Sequence, residues 1–350
     1  MFSPNDVLIE CVPNFSEGQN ASVIHEIQQA ITSVTGVVLL NVDTNKSANR
    51  TVFTFIGLPE SVCNAAYLAI EVASKRIDMR IHRGTHPRIG ATDVCPLIPI
   101  SNISIEETDK YAKLLAKRVG ERLQIPVYCY EHSSQNDYRH SLEQIRKGEY
   151  EALPQKQTTP GWEPDFGPRE FNPQSGATVI GARRLLIAFN VNLDTKSVDV
   201  ARKIAEIIRQ SGKVEADGQT GEIKRIPGLL LHLKAIGWYI KDFDVVQVST
   251  NITNIDEMPI YTVVETIKQQ AEMYGTSVTG CELIGMIPKR ALVETGKYYA
   301  GHHQSSLTEK ELIAIAIREL NLNDVKPFDS QLNILENVLA IIEPKSNSQF

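Results

Sequence analysis

GVVLLNVDTNKSANRTVFTFIG, residues 36–57, holds two runs of β-branched, aliphatic and aromatic residues separated only by the polar cluster TNKSAN. Runs of this kind, broken by Asn, Ser and Thr, read as two strands joined by a turn. Upstream, VLIECVPNF (residues 7–15) reads as a strand. It is followed by SVIHEIQQAITSV (22–34), where Val23, Ile27, Ala30, Ile31 and Val34 keep helical spacing. Downstream, LPESVCNAAYLAIEVASKR (58–76) reads as a helix opened by Pro59 with Glu60 in its first turn. ATDVCPLIPI (91–100) is the next strand. The first part is therefore β-α-β-β-α-β, extended by a helix over 105–123 and a strand over 125–131.

The second part repeats that order. Strand RRLLIAFNVNL (183–193) leads to helix KSVDVARKIAEIIRQSG (196–212), strands GLLLHLKAIGWYI (228–240) and VVQVSTNITN (245–254), helix PIYTVVETIKQQAEMYG (259–275) and strand VTGCELIGMIP (278–288). The expected fold is α+β, with two ferredoxin-like β-α-β-β-α-β subdomains whose helices pack on one face of each sheet. We divide the chain at 1–180 and 181–330, with 331–350 as a C-terminal segment and a frayed tail. No residue-level repeat relates the halves. Between them, residues 148–183 hold five prolines and five glycines. That composition predicts neither a regular helix nor a central strand. Trp162, Phe166 and Phe171 predict an ordered loop instead.

At 350 residues the chain suits two domains of roughly 100–200 residues each. A formal net charge of −6 argues against a nucleic-acid binder, whose footprint is basic. No apolar run has the length of a membrane span or a signal peptide. The five cysteines, Cys11, Cys63, Cys95, Cys129 and Cys281, are scattered, as in a cytoplasmic protein with reduced thiols. An anionic ligand must therefore meet a local cluster of positive charge. RIHRGTHPRIG (80–90) supplies one, with Arg80, His82, Arg83, His86 and Arg88 inside nine positions.

The spacing of His82 and His86 invites a metal site, but Gly84 lies between them and Pro87 turns His86 away from helix, so none is expected. A loop histidine among arginines fits general acid–base work, because neighbouring cations favour its neutral form. Equally, the segment reads as a solvated surface loop. Asp43, Asn45, Ser47, Asn49 and Arg50 could grip a small polar substrate, or serve only as turn chemistry. Asn14, Ser16 and Glu17 allow the same two readings. Lys289 and Arg290 read as surface.

Taken in order, ECVPNFSEG, NRTVFTF, H-x-G-x-HPR-x-GATDVCP, PDFGP with GATVIGAR, AFNVNL, and KAIGWY with QVSTNIT resemble one family. These segments are similar to glutamate formimidoyltransferases and to the formiminotransferase domain of the bifunctional formiminotransferase-cyclodeaminases, from about Val7 to about Pro327. The resemblance implies two α+β subdomains with a ligand tunnel between them and a homodimer. It also implies transfer of the formimidoyl group of N-formimino-L-glutamate to N5 of tetrahydrofolate, the co-substrate, in histidine breakdown. The His-Pro-Arg motif places the catalytic histidine at His86, and His82, which also matches a family histidine, is the alternative base. Asp43, from its place at a strand end, is expected to orient His86 or the amidine. Gly167, Pro168, Arg169, Glu170, Phe171, Asn172, Pro173, Gln174, Ser175 and Gly176 match the folate-contacting loop, and Asn49, Arg50 and Arg88 are the remaining expected binding residues.

This chain departs from the pattern in two places. Asn45-Lys46 stand where relatives carry Gly-Pro, and Ala48 stands where they carry Thr. No counterpart of the helical cyclodeaminase domain is recognised, so ammonia release is expected to need a separate cyclodeaminase. Two other readings share the scaffold: an ATP-using 5-formyltetrahydrofolate cyclo-ligase, and a folate-binding protein without catalysis. The absence of a G-x-x-x-x-G-K-[ST] loop counts against the nucleotide.

Overall fold

The two strand runs over 36–57 pair as an antiparallel hairpin, from Val37↔Gly57 to Asn45↔Arg50, and Asn49 closes the turn at φ +48°. This is seen in a computed structural model that describes residues 2–3, 5–216 and 223–342; the tail expected at 343–350 lies outside the described residues. The first unit runs to Arg184 and contains β1 (Leu8–Cys11), β2 (Asn14–Phe15), α1 (Ala21–Thr32), β3 (Val37–Asn45), β4 (Arg50–Gly57), α2 (Pro59–Arg76), β5 (Thr92–Ser101), α3 (Ile105–Leu123), β6 (Val127–Cys129), α4 (Leu142–Arg146), α5 (Glu149–Thr158) and β7 (Thr178–Ala182).

Local chemistry sets the helix starts. The Asn20 side chain accepts from the N–H groups of Ser22 and Val23, Pro59 occupies the first turn of α2, and Ser104 with Glu107 forms a capping box on α3. Pro13 interrupts the first strand, yet β1 and β2 keep one register against both neighbours: Cys11↔Phe55 continues to Asn14↔Val52, and Cys11↔Leu97 to Asn14↔Val94. The expected strand thus acts as one element, lying between β4 and β5, with β3 outside β4. This is the ferredoxin-like order. β7 then joins β5 in parallel and β6 joins β7.

Ile9, Cys11, Phe15, Phe53, Phe55, Cys95, Leu97 and Ile180 face one side, where α1, α2 and α3 contribute Val23, Ile27, Ile31, Ala66, Ile70, Leu115 and Val119. Val94, Tyr128 and Val179 form a smaller cluster with Ile145 of α4 and Leu153 of α5.

Residues 148–183 correct the expectation of an irregular loop. Glu149–Thr158 is helical with Pro154 inside it, and Thr178–Ala182 is an interior strand. Pro154 is exposed while Leu153 and Gln157 are buried, so tertiary packing of one face outweighs the lost N–H. Gly181 suits the interior position because a Cβ there would meet the Tyr130 carbonyl oxygen at 2.3 Å. Only the middle of the segment is loop.

The second unit starts at Leu185 and contains β8 (Ile187–Leu193), α6 (Val198–Ile208), β9 (Lys213–Ala216), β10 (Ile223–Ile226), β11 (Leu233–Ile240), β12 (Val245–Ile252), α7 (Ile260–Met273), β13 (Val278–Ile284), α8 (Lys289–Ala300), α9 (Glu309–Glu319), α10 (Ser330–Asn333) and α11 (Leu335–Ile342). Its four-stranded sheet has the order β11-β12-β8-β13, the same topology as the core of the first. The separate β9–β10 hairpin and the helices after Pro288 extend that plan. The expected strand over 228–240 begins only at Leu233.

Phe189, Val191, Val248, Ile252 and Leu283 pack on Ile204, Ile208, Val264 and Ile267. The opposite face is polar: Gln247 donates to Asn192 (2.8 Å) and Glu282 (3.0 Å), Asn190 donates to Glu282 (3.1 Å), and Trp238 donates to Gln247 (3.1 Å). Lys289 and Arg290 pair with Glu309 and Asp256. All five cysteines are free thiols.

Phe53→Ala is expected to cost about 3–5 kcal/mol in denaturant unfolding, the range for emptying a buried aromatic site. Ile81→Ala, at a position 77% exposed, should stay within about 0.5 kcal/mol of the parent.

Candidate functional site

Strand pairing places Asp43, Val52, Asn14 and Val94 in one cross-strand row, and Arg50 lies two residues from Val52, so these side chains share the face of the first sheet opposite α1–α3. Arg50 is buried there. Its Nε and Nη2 donate to Asn14 Oδ1 at 3.1 and 2.8 Å, and its Nη1 reaches Asp93 Oδ2 at 2.7 Å. Asn14 is held in turn by donating to the Val12 carbonyl (2.8 Å). Asp93 is fully buried, accepts from the Ile89 N–H (3.0 Å), and pairs also with Arg146, which reaches both carboxylate oxygens, Nη2 sharing Oδ2 with Arg50 and Nε donating to Oδ1 at 3.3 Å. One carboxylate thus sits between two guanidinium groups. Burial pushes its pKa up, but Arg146 and Arg50 outweigh burial and hold Asp93 well below the usual carboxylate range.

His86 lies within the field of this group. Its Nδ1–H donates to the Pro87 carbonyl at 2.8 Å, which assigns the tautomer and makes Nε2 the basic nitrogen. Burial, then Arg50 and Arg146, push its pKa down to about 3, with Asp93 opposing them. The imidazole is therefore neutral at pH 7, although the residue keeps partial access to solvent.

His82 is placed differently. It is buried, its Nε2–H donates to the Asn49 carbonyl (3.0 Å), and its Nδ1 accepts from Arg88 Nε (3.4 Å). Burial lowers its pKa as well. Both ring nitrogens are engaged, so His82 fits a strut better than a base.

Arg88 is likewise spent. Its Nη1 donates to Glu149 and Glu151 at 2.8 Å and its Nη2 to Glu151 at 2.6 Å, tying the histidine segment to the first turn of α5. A role as an open carboxylate clamp does not fit that geometry. The recess beside it, about 410 Å³, is lined by Arg83, Gly84, Arg88, Gly148, Glu149 and Glu151.

Asn49 joins three loops: its Oδ1 accepts from the Gly18 N–H, its Nδ2 donates to the Arg83 carbonyl, and its own carbonyl takes His82. Gly84 allows this approach, since a Cβ would meet the Ala48 carbonyl oxygen at 2.2 Å. Ser16 donates to the Gly90 carbonyl (2.7 Å), a local tie between the first strand and the histidine segment.

The loop Gly167–Gly176 is fastened to the same segment. Met79 N–H donates to Gln174, Ala91 N–H to Ser175, and Ala177 N–H to Ile89, so both ends of the histidine stretch rest on it. Gln174 also donates to the last carbonyls of α2, Ser74 and Lys75. Asn172 Oδ1 accepts from the N–H groups of Gln174 and Ser175. Tyr150 packs on Phe171 with ring centroids 5.4 Å apart and donates to the Pro173 carbonyl. Gly167 and Gly176 take φ +85° and +67°. Pro168 is half-buried, and Arg169 and Glu170 are exposed at the tip.

The sequence reading assigned no role to Asp93 and did not single out Arg146. Asp93 stands inside the quoted GATDVCP stretch, a signal that was present. Arg146 carries none, because its partner is 53 residues away in the chain.

Residues 8–183 match the family described as the formiminotransferase domain, N-terminal subdomain, and residues 188–340 match the formiminotransferase domain. The chain is 42% identical to formimidoyltransferase-cyclodeaminase of Rattus norvegicus over 341 residues, covering 97% of this chain and 61% of that protein. It thus spans about three-fifths of the length of the first curated relatives it matches. It is 42% identical to glutamate formimidoyltransferase of Streptococcus pyogenes serotype M1 over 292 residues, covering 83% of this chain and 93% of that one. Against glutamate formimidoyltransferase of Thermoplasma acidophilum the identity is 38%, covering 87% and 97%.

Asp93→Asn should cost roughly 3–5 kcal/mol in urea unfolding, because it leaves the buried Arg50 and the partly buried Arg146 without their anion. The depressed His86 pKa has a stability consequence of known sign. The unfolded chain takes up a proton near pH ~6.5 that the folded one refuses, so stability falls as pH drops from there toward 3. His86→Gln should flatten that part of the slope in unfolding measured between pH 7 and 4.

Proposed function

The chain belongs to the formiminotransferase family, and we propose that it is a glutamate formimidoyltransferase. In this reading it moves the formimidoyl group of N-formimino-L-glutamate to N5 of tetrahydrofolate and releases L-glutamate. The observation that carries it is a histidine, His86, whose Nδ1–H is held by the Pro87 carbonyl and which lies in the field of the Arg50–Asp93–Arg146 group on a polar sheet face. N5 attacks the amidine carbon and loses a proton to His86 Nε2; the tetrahedral adduct then collapses as the departing glutamate nitrogen takes that proton back. One histidine suffices because acceptance and donation occur in sequence.

The charge group tunes this step. In the free protein burial and the two arginines keep the imidazole unprotonated and so able to accept. A bound substrate carrying carboxylates offsets part of their field and raises the basicity of Nε2 at the moment of transfer. Asp93 stabilises the transient imidazolium. Gly167–Gly176 contacts the folate, with Phe171 and the exposed Arg169 as its adaptable elements. His82, Arg88 and Asn49 position the His86 segment rather than react, and Asp43 is the group on the same sheet face that orients the amidine. The working form in this reading is a cytoplasmic homodimer acting in histidine breakdown.

Purified protein given both substrates should release glutamate, measured by enzymatic coupling, and form 5-formiminotetrahydrofolate. His86→Ala should lower kcat by roughly 10²–10⁴ while tetrahydrofolate still binds. Turnover near the parent rate would overturn the assignment of His86, and turnover only with 5-formyltetrahydrofolate and ATP would replace the reaction. In pH profiles, the acid limb of kcat should lie at higher pH than that of kcat/KM, since only the former reports the substrate-loaded histidine.

A further inference from the structure

Among the described residues, Glu10 is a buried carboxylate on the working face of the first sheet that the transfer scheme leaves unused. Because the first strand holds a single register, Glu10 and Asn14 point to the same side, opposite Ile9, Cys11 and Phe15 in the helical core. Glu10 is only 3% exposed, and its Oε2 has no hydrogen-bond partner among the described residues. Its cross-strand neighbours are Ile56 and Ile98, both fully buried. A hydrophobic residue would fill this place without the desolvation cost of an unpaired carboxyl, so packing does not explain it. Burial pushes its pKa up to about 7 and Arg183, which also hydrogen-bonds Tyr130, pulls against that. The group is therefore poised to ionise against a donor.

Position and charge select the donor. Glu10 lies four residues from Asn14, about 13 Å along the strand, so it does not reach the atoms reacting at His86. Any contact it makes with a substrate is therefore with a part remote from the reacting atoms. Beyond its amidine, N-formimino-L-glutamate offers only carboxylates, which a second carboxylate repels, and the glutamyl end of the folate does the same. The pyrimidine edge of the pterin is different. Remote from N5, it presents N3–H and the 2-amino group as parallel donors, matched to the two oxygens of a carboxylate.

We propose that Glu10 is the specificity residue for tetrahydrofolate, receiving N3–H and the 2-amino group of its pterin in a paired hydrogen bond. This rests on the formimidoyl-transfer reading above and names how that site recognises its acceptor.

The test uses the full chain, tetrahydrofolate, and its 2-desamino-2-methyl analogue. Glu10→Gln should weaken tetrahydrofolate binding by roughly 10- to 100-fold. KM for N-formimino-L-glutamate and the thermal midpoint should stay unchanged, a split that a purely structural role would not give. The wild type should discriminate against the analogue by a similar factor, and Glu10→Gln should not. Equal affinity of Glu10→Gln and the wild type for tetrahydrofolate would overturn the inference. If the variant fails to fold, the wild type decides: binding the analogue as tightly as tetrahydrofolate overturns it equally. A wild type that binds no tetrahydrofolate would overturn the parent reading, and this one with it.

Discussion

A single buried carboxylate organises the first unit's working face. Asp93, on the strand that leads out of the histidine segment, neutralises Arg50 from β4 and Arg146 from α4, and its Oδ1 also accepts the Ile89 N–H. Buried charges persist only when paired and hydrogen-bonded, so these groups hold one another in place. Three elements distant in sequence are thereby fixed around His86. Burial first, and then the same guanidinium groups that complete the pairing, keep the imidazole unprotonated. Structural support and pKa control come from one arrangement, and a change at Asp93 would disturb both.

Around that group the loops are held by hydrogen bonds rather than by apolar packing. Asn49 links the first helix entry, the hairpin turn and the histidine segment. His82 and Arg88 form a second line of ties, running from the Asn49 carbonyl through the imidazole and guanidinium to Glu149 and Glu151. Gly167–Gly176 clasps the two ends of the same segment. This explains why two histidines four residues apart have different duties. One spends both nitrogens on ties to Asn49 and Arg88, while the other holds the Pro87 carbonyl through Nδ1 and lies in the field of Arg50, Arg146 and Asp93.

Each unit balances an apolar and a polar side of its sheet. In the second unit Glu282 is shared among Asn190, Gln247 and Lys326, and Asn192 among Gln247 and Asp324, so its buried amides and carboxylates find partners. In the first unit Glu10 Oε2 does not. A satisfied network rigidifies, whereas an unsatisfied buried acceptor marks a place where a donor from outside the chain would be favoured.

The sequence by itself determined the two β-α-β-β-α-β units, because alternation of strand runs and helical spacing is a local signal that survives without knowing the neighbours. Its cluster of positive charge also located the histidine segment, while the Gly167–Gly176 loop was singled out by the family resemblance. Tertiary structure decided what local pattern could not. Pro154 sits inside a helix because Leu153 and Gln157 find a buried surface, and Gly181 belongs to an interior strand because the Tyr130 backbone approaches it. That both ring nitrogens of His82 are engaged depends on Asn49 and Arg88 reaching it. The field at His86 depends on Arg146, which joins Asp93 across 53 residues of chain. Such pairings are properties of three-dimensional proximity, and no spacing along the chain encodes them.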